Sequence, residues 1–200
     1  MKTFWKFPVI GPLVFAAWKI DAKRKLGWMN DWLGASDKMI EIGSGPGSVL
    51  DVMHKHNYNV EGLDIKDSSF RQDLQPYIYD GKTMPFAAKS YDVALLPTIL
   101  HHTPEPDAII RESARIASRL IIIEDVYEGA FMEWLTKRMD SLMNLEFAGH
   151  PHSNRSDRQW RSSFAYMGLK LRHASLHRVG GIFRQAVYVL DVNHTVRIAA

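Results

Sequence analysis

The 200-residue sequence predicts an α/β fold in which helices cover both faces of a largely parallel sheet. The first observation is an alternation of short apolar strands with helical segments between residues 38 and 123. The second is that these strands are apolar almost without interruption, which is typical of strands buried on both faces. The third is a glycine-rich turn at 43–47, placed between the first strand and the first helix of the alternation. Such a turn lies at the carboxyl end of a parallel strand, where α/β proteins bind ligands.

Residues 1–34 are predicted to form a helical segment that precedes a single domain at residues 35–200. Pro12 is expected to be its first helical residue, and Gly34 is expected to end the segment. Four of the six tryptophans lie in residues 1–32, together with six Lys and Arg side chains in residues 1–30. Aromatic and basic side chains beside a short apolar stretch favour one of two interpretations: a helix that packs on the domain and covers the ligand, or a helix that lies in a membrane interface.

The stretch Met39–Gly47 joins a buried strand to three glycines at alternate positions. Glycine lets backbone N–H groups approach a ligand with no Cβ in the way, and a helix beginning near Ser48 adds partial positive charge there. The dinucleotide-binding fingerprint is G-x-G-x-x-G, but Ser48 occupies the position of its third glycine. A nicotinamide nucleotide is therefore disfavoured as the ligand.

The remaining elements follow from apolar periodicity and from the positions of glycine and proline. The predicted strands cover 38–42, 58–65, 77–79, 90–96, 120–123, 169–179 and 185–193, and the predicted helices cover 48–56, 68–74, 103–116, 130–145 and 156–167. Thr103 is expected to cap its helix with Pro104 just inside, while Ser156 and Gln159 form a capping box. The last two strands form an antiparallel hairpin that turns through Gly180 and Gly181.

Several of these stretches resemble a known family. Residues 41–47 have the form E-x-G-x-G-x-G and resemble motif I of class I S-adenosylmethionine (SAM)-dependent methyltransferases. Residues 80–86 resemble the D-x-x-x-L-P-F segment of the type 11 branch, with Met84 in place of leucine, and His101-His102 are similar to histidines found after its fourth strand. The resemblance covers roughly residues 36–193. It implies a Rossmann-like class I methyltransferase fold with a seven-stranded mixed sheet, parallel except for one antiparallel strand.

The resemblance also implies a set of SAM-binding residues. Glu41 would orient the ammonium group of SAM, and Asp80 would reach the adenine amino group. Asp64 would bind the ribose hydroxyls, and its position about twenty residues beyond the first glycine agrees with that role. The whole predicted set is Glu41, Gly43, Ser44, Gly45, Gly47, Asp64, Ile65, Asp80, Gly81 and Pro97. Asp92, near the beginning of its strand, is expected to be structural instead.

Methyl transfer from a sulfonium mainly requires alignment of the acceptor, and it requires a base only where the acceptor must lose a proton. Four side chains are predicted to lie near the reacting methyl group: His101, His102, Asp125 and His150. The acceptor pocket is expected between the carboxyl ends of the fourth and fifth strands and the irregular stretch 144–160, which adds His152, Asn154 and Arg155. His150-x-His152 is interpreted as a loop pair, and no metal site is predicted.

Composition excludes several classes of function. Because the chain has no cysteine, it forms no disulfide, no thiolate nucleophile and no cysteine-ligated iron–sulfur cluster, which excludes radical SAM chemistry. The sequence has no run of eighteen apolar residues, so it does not indicate a membrane span. Enzymes that methylate amino groups of bases and glutamine often carry N/D-P-P-Y/F after the fourth strand, but residues 95–98 read Leu-Leu-Pro-Thr. The sequence predicts a cytoplasmic protein, with membrane association as a further interpretation.

The net charge of +3 is unevenly distributed, with +5 in residues 1–30, −8 in residues 31–152 and +6 in residues 153–184. Two basic ends suggest an anionic surface or substrate, with ordinary solvated charge as the alternative. The predicted function is a SAM-dependent methyltransferase acting on a small-molecule or lipid-like acceptor, with peripheral membrane contact through residues 1–30. The alternatives are an RNA methyltransferase that uses the basic 153–184 region and a non-catalytic SAM-binding partner subunit.

Overall fold

The computed structural model describes residues 10–127, 154–180 and 183–192. The strands are β1 (Lys38–Ile42), β2 (Asn59–Asp64), β3 (Tyr77–Ile78), β4 (Tyr91–Pro97), β5 (Ala117–Val126), β6 (Lys170–Val179) and β7 (Phe183–Asp191). The helices are α1 (Ile10–Met29), α2 (Ser48–Lys55), α3 (Pro106–Ile116) and α4 (Asp157–Tyr166), with 3₁₀ turns at Asn30–Trp32, Gln72–Leu74 and Leu100–His102.

The seven strands form a sheet in the order β3-β2-β1-β4-β5-β7-β6. The first five are parallel, while β7 is antiparallel to both of its neighbours, β5 and β6. The predicted seven-stranded mixed sheet with one antiparallel strand is therefore confirmed. The strand order reverses between β1 and β4, so their carboxyl ends flank the crevice where ligands bind in such sheets.

Helices cover the sheet on both faces because side chains along each strand alternate between two cores. On one face, α1 and α2 bury a core that includes Phe15, Leu26 and Met39. On the other face, α3 and α4 bury a core that includes Ile40 and Trp160. The adjacent residues Met39 and Ile40 thus belong to different cores, and the whole of β1 is shielded from water except at its first residue.

Some predicted boundaries are wrong for identifiable reasons. Helix α1 begins at Ile10, so Pro12 lies within the first turn, where the missing N–H costs no hydrogen bond. Helix α3 begins at Pro106 with Glu105 in the cap position, because residues 100–102 already form a 3₁₀ turn before Thr103. The stretch 68–74 contains only the 3₁₀ turn at Gln72–Leu74. The predicted helix at 130–145 lies outside the described residues.

Two further elements bear on the sequence predictions. Strand β5 begins at Ala117 and ends at Val126, longer than the predicted 120–123, because it pairs with β4 on one side and β7 on the other. The capping box of α4 is confirmed, since Ser156 Oγ accepts from the Gln159 N–H while the Gln159 side chain accepts from the Ser156 N–H.

Helix α1 packs on the sheet through one face and exposes the other. The Phe15 ring stacks on Phe70 with centroids 4.3 Å apart, and the Trp28 ring stacks on His177 of β6 at 4.2 Å. On the opposite face, Leu13 and Ile20 are 69% and 71% exposed. No helix within the described ranges is long and apolar enough to cross a bilayer.

Candidate active site

The loop between β1 and α2 has a backbone shape that requires glycine. Its N–H groups at Gly43 and Ser44 donate to the Leu63 carbonyl of β2 at 2.7 and 3.3 Å. Gly43 has a φ of +73°, and a Cβ there would lie 2.4 Å from Cγ1 of Ile99. At Gly45, with a φ of +52°, a Cβ would meet no described atom within 4 Å. The backbone of the loop is thus held in place at Gly43, and open space lies above Gly45.

Glu41 lies at the carboxyl end of β1 and is only 3% exposed. Its carboxylate accepts a hydrogen bond from the backbone N–H of Leu50, in the first turn of α2. Burial raises the pKa of Glu41 well above its usual value, against an opposing effect of the Lys25 charge. Its other oxygen, Oε2, is buried without a partner among the described residues. A buried carboxyl group with one unused acceptor suits a cationic group of a ligand.

Asp64 ties the end of β2 to the glycine loop. Its Oδ2 accepts from the Gly45 N–H at 2.8 Å, and its Oδ1 accepts from the Lys66 N–H at 3.3 Å. Next to it, Ile65 is 60% exposed, and its Cγ2 lies 3.2 Å from where a Cβ on Gly81 would be. The result is an apolar surface beside an acid, which suits a flat aromatic ring attached to a sugar.

Asp80 organises the turn on the far side of Ile65. Its Oδ1 accepts from the N–H groups of Lys82 and Thr83 at 2.8 and 2.9 Å, and these bonds lower the pKa of its exposed carboxyl. Its second oxygen has no hydrogen-bond partner among the described residues. Ile65, Gly81 and Asp80 therefore form one continuous rim beside the ends of β2 and β3.

Thr98, directly after β4, has a φ of +56°, which is rare for a β-branched residue. Its N–H donates to the Ile123 carbonyl at 2.6 Å and its hydroxyl donates to the Pro97 carbonyl at 2.7 Å. The same hydroxyl oxygen accepts from Lys25 Nζ at 2.8 Å. Backbone strain of this kind persists only where surrounding contacts enforce it, and it concentrates at functional sites.

Glu124 and His101 form a buried pair at the ends of β4 and β5. His101 Nδ1 lies 2.6 Å from Glu124 Oε2, and Glu124 Oε1 accepts from the Leu100 N–H at 2.7 Å. The His102 ring, centred 4.0 Å from that of His101, is partly exposed, whereas His101 is buried. Of the two histidines, His102 is thus the one with a surface to offer an acceptor.

Asp125 follows Glu124 and points to the opposite face of the sheet. Burial raises the pKa of Asp125, while His101 and a hydrogen bond from Gln185 Nε2, at 3.0 Å, act in the other direction. The structure therefore brings His101, His102 and Asp125 to one edge of the sheet, but divides them between its two faces.

The predicted acceptor loop is only partly described. His150 and His152 lie outside the described residues. Asn154 is buried, with both side-chain polar atoms unpartnered among the described residues. Arg155 bonds to Asp107 and to Ser163, each at 2.6 Å, so its guanidinium braces α4 against α3.

The sequence predicts no role for Lys25 or Glu124, and it places Thr98 on the ligand side after β4 without a role of its own. Lys25 lies in the basic run 23–25, for which the sequence leaves an anionic partner and solvated surface charge as alternatives. Its helical spacing from Ala22 and Met29, both buried, was the signal that places it on the inner face of α1. Glu124 offers no such signal. It is followed by a second acid, Asp125, and the sequence does not show which of the two faces which side of the sheet until the pairing of β5 is known.

These features fit SAM. The carboxylate with an unused acceptor suits the ammonium group of SAM. The open space above a glycine suits the chain that the backbone would bind, and the exposed isoleucine between two acids suits the adenosine. When bound, SAM supplies an electrophilic methyl group. The part of the chain that holds these features, residues 40–119, matches the family model described as a methyltransferase domain. No curated protein matches the sequence significantly.

Solved structures share the fold at low sequence identity. Magnesium protoporphyrin IX methyltransferase from Synechocystis, with S-adenosylhomocysteine bound, is 16% identical with a TM-score of 0.63, covering 86% of this chain and 83% of its own. Geranyl diphosphate C-methyltransferase from Streptomyces coelicolor is 13% identical with a TM-score of 0.66, covering 86% and 79%. A SAM-dependent methyltransferase from Aquifex aeolicus is 16% identical with a TM-score of 0.60, covering 86% and 90%.

The domain match and the fold lead to the same conclusion from independent observations. The match spans the segment from β1 into β5, which carries the glycine loop and the three acids Glu41, Asp64 and Asp80. The seven-stranded mixed sheet and its single antiparallel strand are those predicted for this class. Residues 40–119 thus form a methyltransferase domain, which implies SAM as the methyl donor, and the chain has the fold of solved class I SAM-dependent methyltransferases.

Proposed function

We propose that this methyltransferase acts on a small-molecule or lipid-like acceptor, and that α1 brings it to a membrane surface. The observation that carries the proposal is the exposed face of α1. Leu13, Ala16, Ala17 and Ile20 lie on it at helical spacing and are all exposed. Lys23 and Arg24 continue the same face one turn later. An apolar stripe beside basic side chains is the chemistry that binds an anionic lipid interface.

The inner face of the same helix supports this arrangement. Because Phe15, Ala22, Leu26 and Met29 are buried against the domain, α1 has a fixed orientation and its apolar stripe cannot turn inward. In this proposal residues 1–34 are a membrane-contact segment and residues 35–200 are the methyltransferase domain.

The described contacts support a specific placement of SAM. The unpartnered oxygen of Glu41 receives the ammonium group, and Asp64 receives the ribose hydroxyls. The free oxygen of Asp80 receives the adenine amino group, while Ile65 and Gly81 form the surface under the ring. Gly43, Ser44, Gly45, Gly47 and Pro97 complete the set as backbone around the methionine and ribose.

The acceptor is placed at the carboxyl ends of β4 and β5. There, His102 is the more exposed of the two histidines, and His101 with Glu124 fixes the 3₁₀ turn that carries it. Asp125 lies on the SAM side of the sheet and His150 remains a prediction. Two similar structures bear names of small-molecule enzymes, for magnesium protoporphyrin IX and geranyl diphosphate, which favours an acceptor of that size.

RNA is the competing acceptor, and the basic region 153–184 is the reason to consider it. Three of its seven basic side chains pair with acids of the protein: Arg155 with Asp107, Arg161 with Asp157, and Arg172 with Asp191. Guanidinium groups already held by carboxylates contribute less to phosphate binding. The small or lipid-like acceptor is therefore the better supported of the two.

Membrane contact is tested by co-sedimentation with vesicles of phosphatidylcholine, with and without phosphatidylserine. Binding should increase with the anionic lipid and decrease with salt. The double variant Leu13→Glu/Ile20→Glu should remain in the supernatant. Tyr166→Glu, which adds one negative charge at an 83% exposed aromatic residue of α4, should sediment like the unmodified protein. Equal binding to both vesicle types, or none, would show that α1 only packs on the domain.

The acceptor class is tested with methyl-labelled SAM and cell extract separated into lipid, small-molecule and RNA fractions. Label is expected in the lipid or small-molecule fraction. Label in RNA alone would replace the proposed acceptor with the competing one. If S-adenosylhomocysteine binds but no fraction is labelled, the protein is a SAM-binding subunit without its own activity.

A further inference from the structure

Lys25 is a buried cation on α1, the helix that precedes the strands of the sheet. It is 6% exposed, although lysine is rarely buried without a compensating charge. Its nearest carboxylate, Asp21, is 35% exposed and also bonds to Arg24, so its charge is divided between two cations and water. A buried ammonium with so little compensation needs a further anion.

The hydrogen bonds of Lys25 leave one donor for that anion. Its Nζ lies 2.8 Å from Thr98 Oγ1 and 2.8 Å from Asp21 Oδ2. A lysine ammonium carries three hydrogens, and these two contacts use two of them. Over the ranges that the structure describes, no third acceptor lies within hydrogen-bonding distance.

The Lys25 ammonium lies near the carboxyl ends of the strands that form the crevice. It is bonded to Thr98 at the end of β4, the strand next to β1 at the crevice. Burial raises the pKa of Glu41 at the end of β1 and that of Asp125 at the end of β5, and the Lys25 charge acts against this increase at both groups. Lys25 therefore stands over the middle of the ligand-binding edge, on the same face as Glu41.

We propose that Lys25 binds the carboxylate of the methionine part of SAM, so that α1 completes the cofactor site. The methionine end of SAM carries an ammonium and a carboxylate on the same carbon. A site that receives the ammonium at Glu41 must present a donor to the carboxylate close by, and Lys25 is the cation whose charge acts on Glu41. The inference rests on the SAM placement proposed above.

This arrangement also compensates the charges of two buried side chains, Glu41 and Lys25. Glu41 and Lys25 are both buried, yet no direct hydrogen bond joins them in the described structure. A zwitterion placed between them gives each charge an opposite partner, the ammonium for Glu41 and the carboxylate for Lys25. The strained Thr98, whose hydroxyl oxygen accepts from Nζ, holds the lysine in the required position.

The test compares S-adenosylhomocysteine with its decarboxylated form, which keeps the ammonium and lacks only the carboxylate. Isothermal titration is done on the unmodified protein, on Lys25→Met, and on Lys170→Met as the matched control. Lys170 is exposed and lies at the opposite end of the sheet, where β6 begins beside Asp191. The control removes the same charge far from the site.

Lys25→Met should weaken S-adenosylhomocysteine binding by on the order of tenfold to a hundredfold, the worth of a charge-assisted hydrogen bond. The decarboxylated form should bind Lys25→Met and the unmodified protein equally, and Lys170→Met should behave as the unmodified protein with both ligands. Equal losses for both ligands in Lys25→Met, or no loss, would overturn the inference.

The unmodified protein provides a check that does not depend on the variant folding. It should bind S-adenosylhomocysteine more tightly than the decarboxylated form, and equal affinities would overturn the role of Lys25. If the unmodified protein bound neither ligand, the SAM placement itself would fail. That result is distinct from the failure of Lys25 alone.

Discussion

Gly45 differs from the other glycines of the loop because a side chain there would enter open space. Gly45→Ala should fold, at a cost of about 1 kcal/mol for alanine at positive φ, but its Cβ would occupy the space above the loop. We expect it to lose most of its affinity for S-adenosylhomocysteine in titration calorimetry. Gly27→Ala, in an exposed part of α1 with no atom within 4 Å of the new Cβ, should bind normally and gain about 0.5–1 kcal/mol. Normal binding by Gly45→Ala would place the ligand elsewhere.

Glu41 makes the stability of the protein depend on pH. Because its folded pKa is raised by burial, the folded state binds more protons than the unfolded state, and stability falls as pH rises above the unfolded value near 4.5. Glu41→Gln keeps an acceptor for the Leu50 N–H and removes the titration. Its melting temperature should therefore improve relative to the unmodified protein between pH 5 and pH 7.5. If the melting temperatures of Glu41→Gln and of the unmodified protein changed equally with pH across this range, the raised pKa of Glu41 would be contradicted.

His102 and His101 should separate catalysis from folding. His102→Ala should lower kcat while S-adenosylhomocysteine binding stays normal, since its partly exposed ring lies in the 3₁₀ turn after β4, where the acceptor is proposed to bind. His101→Ala removes the partner of a buried carboxylate and should instead lower the melting temperature. The two outcomes are measured by steady-state kinetics and by thermal melting. Unchanged kcat in His102→Ala would move the acceptor away from this turn.

The residues that sequence alone could predict are those whose role depends on local spacing. Glu41 and Asp64 each lie at a fixed distance from the loop glycines, so a pattern along the chain finds them. Lys25 depends on how α1 docks across the sheet, and Glu124 depends on which face each residue of β5 takes. These are tertiary properties, and no local pattern carries them.

Helix α1 and strand β6 form a contact whose strength should depend on pH. The Trp28 ring stacks on His177, and burial, with a smaller effect of His173, lowers the pKa of His177. The folded state thus binds fewer protons, so stability is fully present above the unfolded pKa of about 6.5 and is lost as pH falls through the folded value. The loss of melting temperature between pH 7 and pH 5.5 should be smaller in His177→Gln. His56→Gln, at an exposed position, should show the full loss.

At the scale of elements, buried strands were predicted best. Their apolar runs are read from composition, and β1 matches its prediction at both ends. Element ends that depend on neighbours were missed. Strand β5 is extended by pairing on both sides, and α3 begins at the second of two prolines because a 3₁₀ turn occupies the residues before the first.

The proposed SAM site draws on the ends of β1, β2 and β4 and on the turn after β3, so the ligand should stabilise the molecule as a whole. S-adenosylhomocysteine at a hundred times its Kd should add about 2.7 kcal/mol to the free energy of unfolding. In a domain of this size that is a rise in melting temperature of roughly 5–10 °C. NAD at the same concentration should give no shift. A shift with NAD alone would contradict the assignment of the loop to SAM.

The place of β7 between β5 and β6 has a consequence for synthesis on the ribosome. Among the described strands, β6 pairs with β7 alone, and β7 alone covers the outer edge of β5. Until residue 191 has left the exit tunnel, β6 has no partner and β5 presents a row of open backbone groups. The strands that carry the glycine loop and its acids emerge much earlier. A nascent chain could therefore meet its methyl donor while its other half still exposes an edge that promotes aggregation.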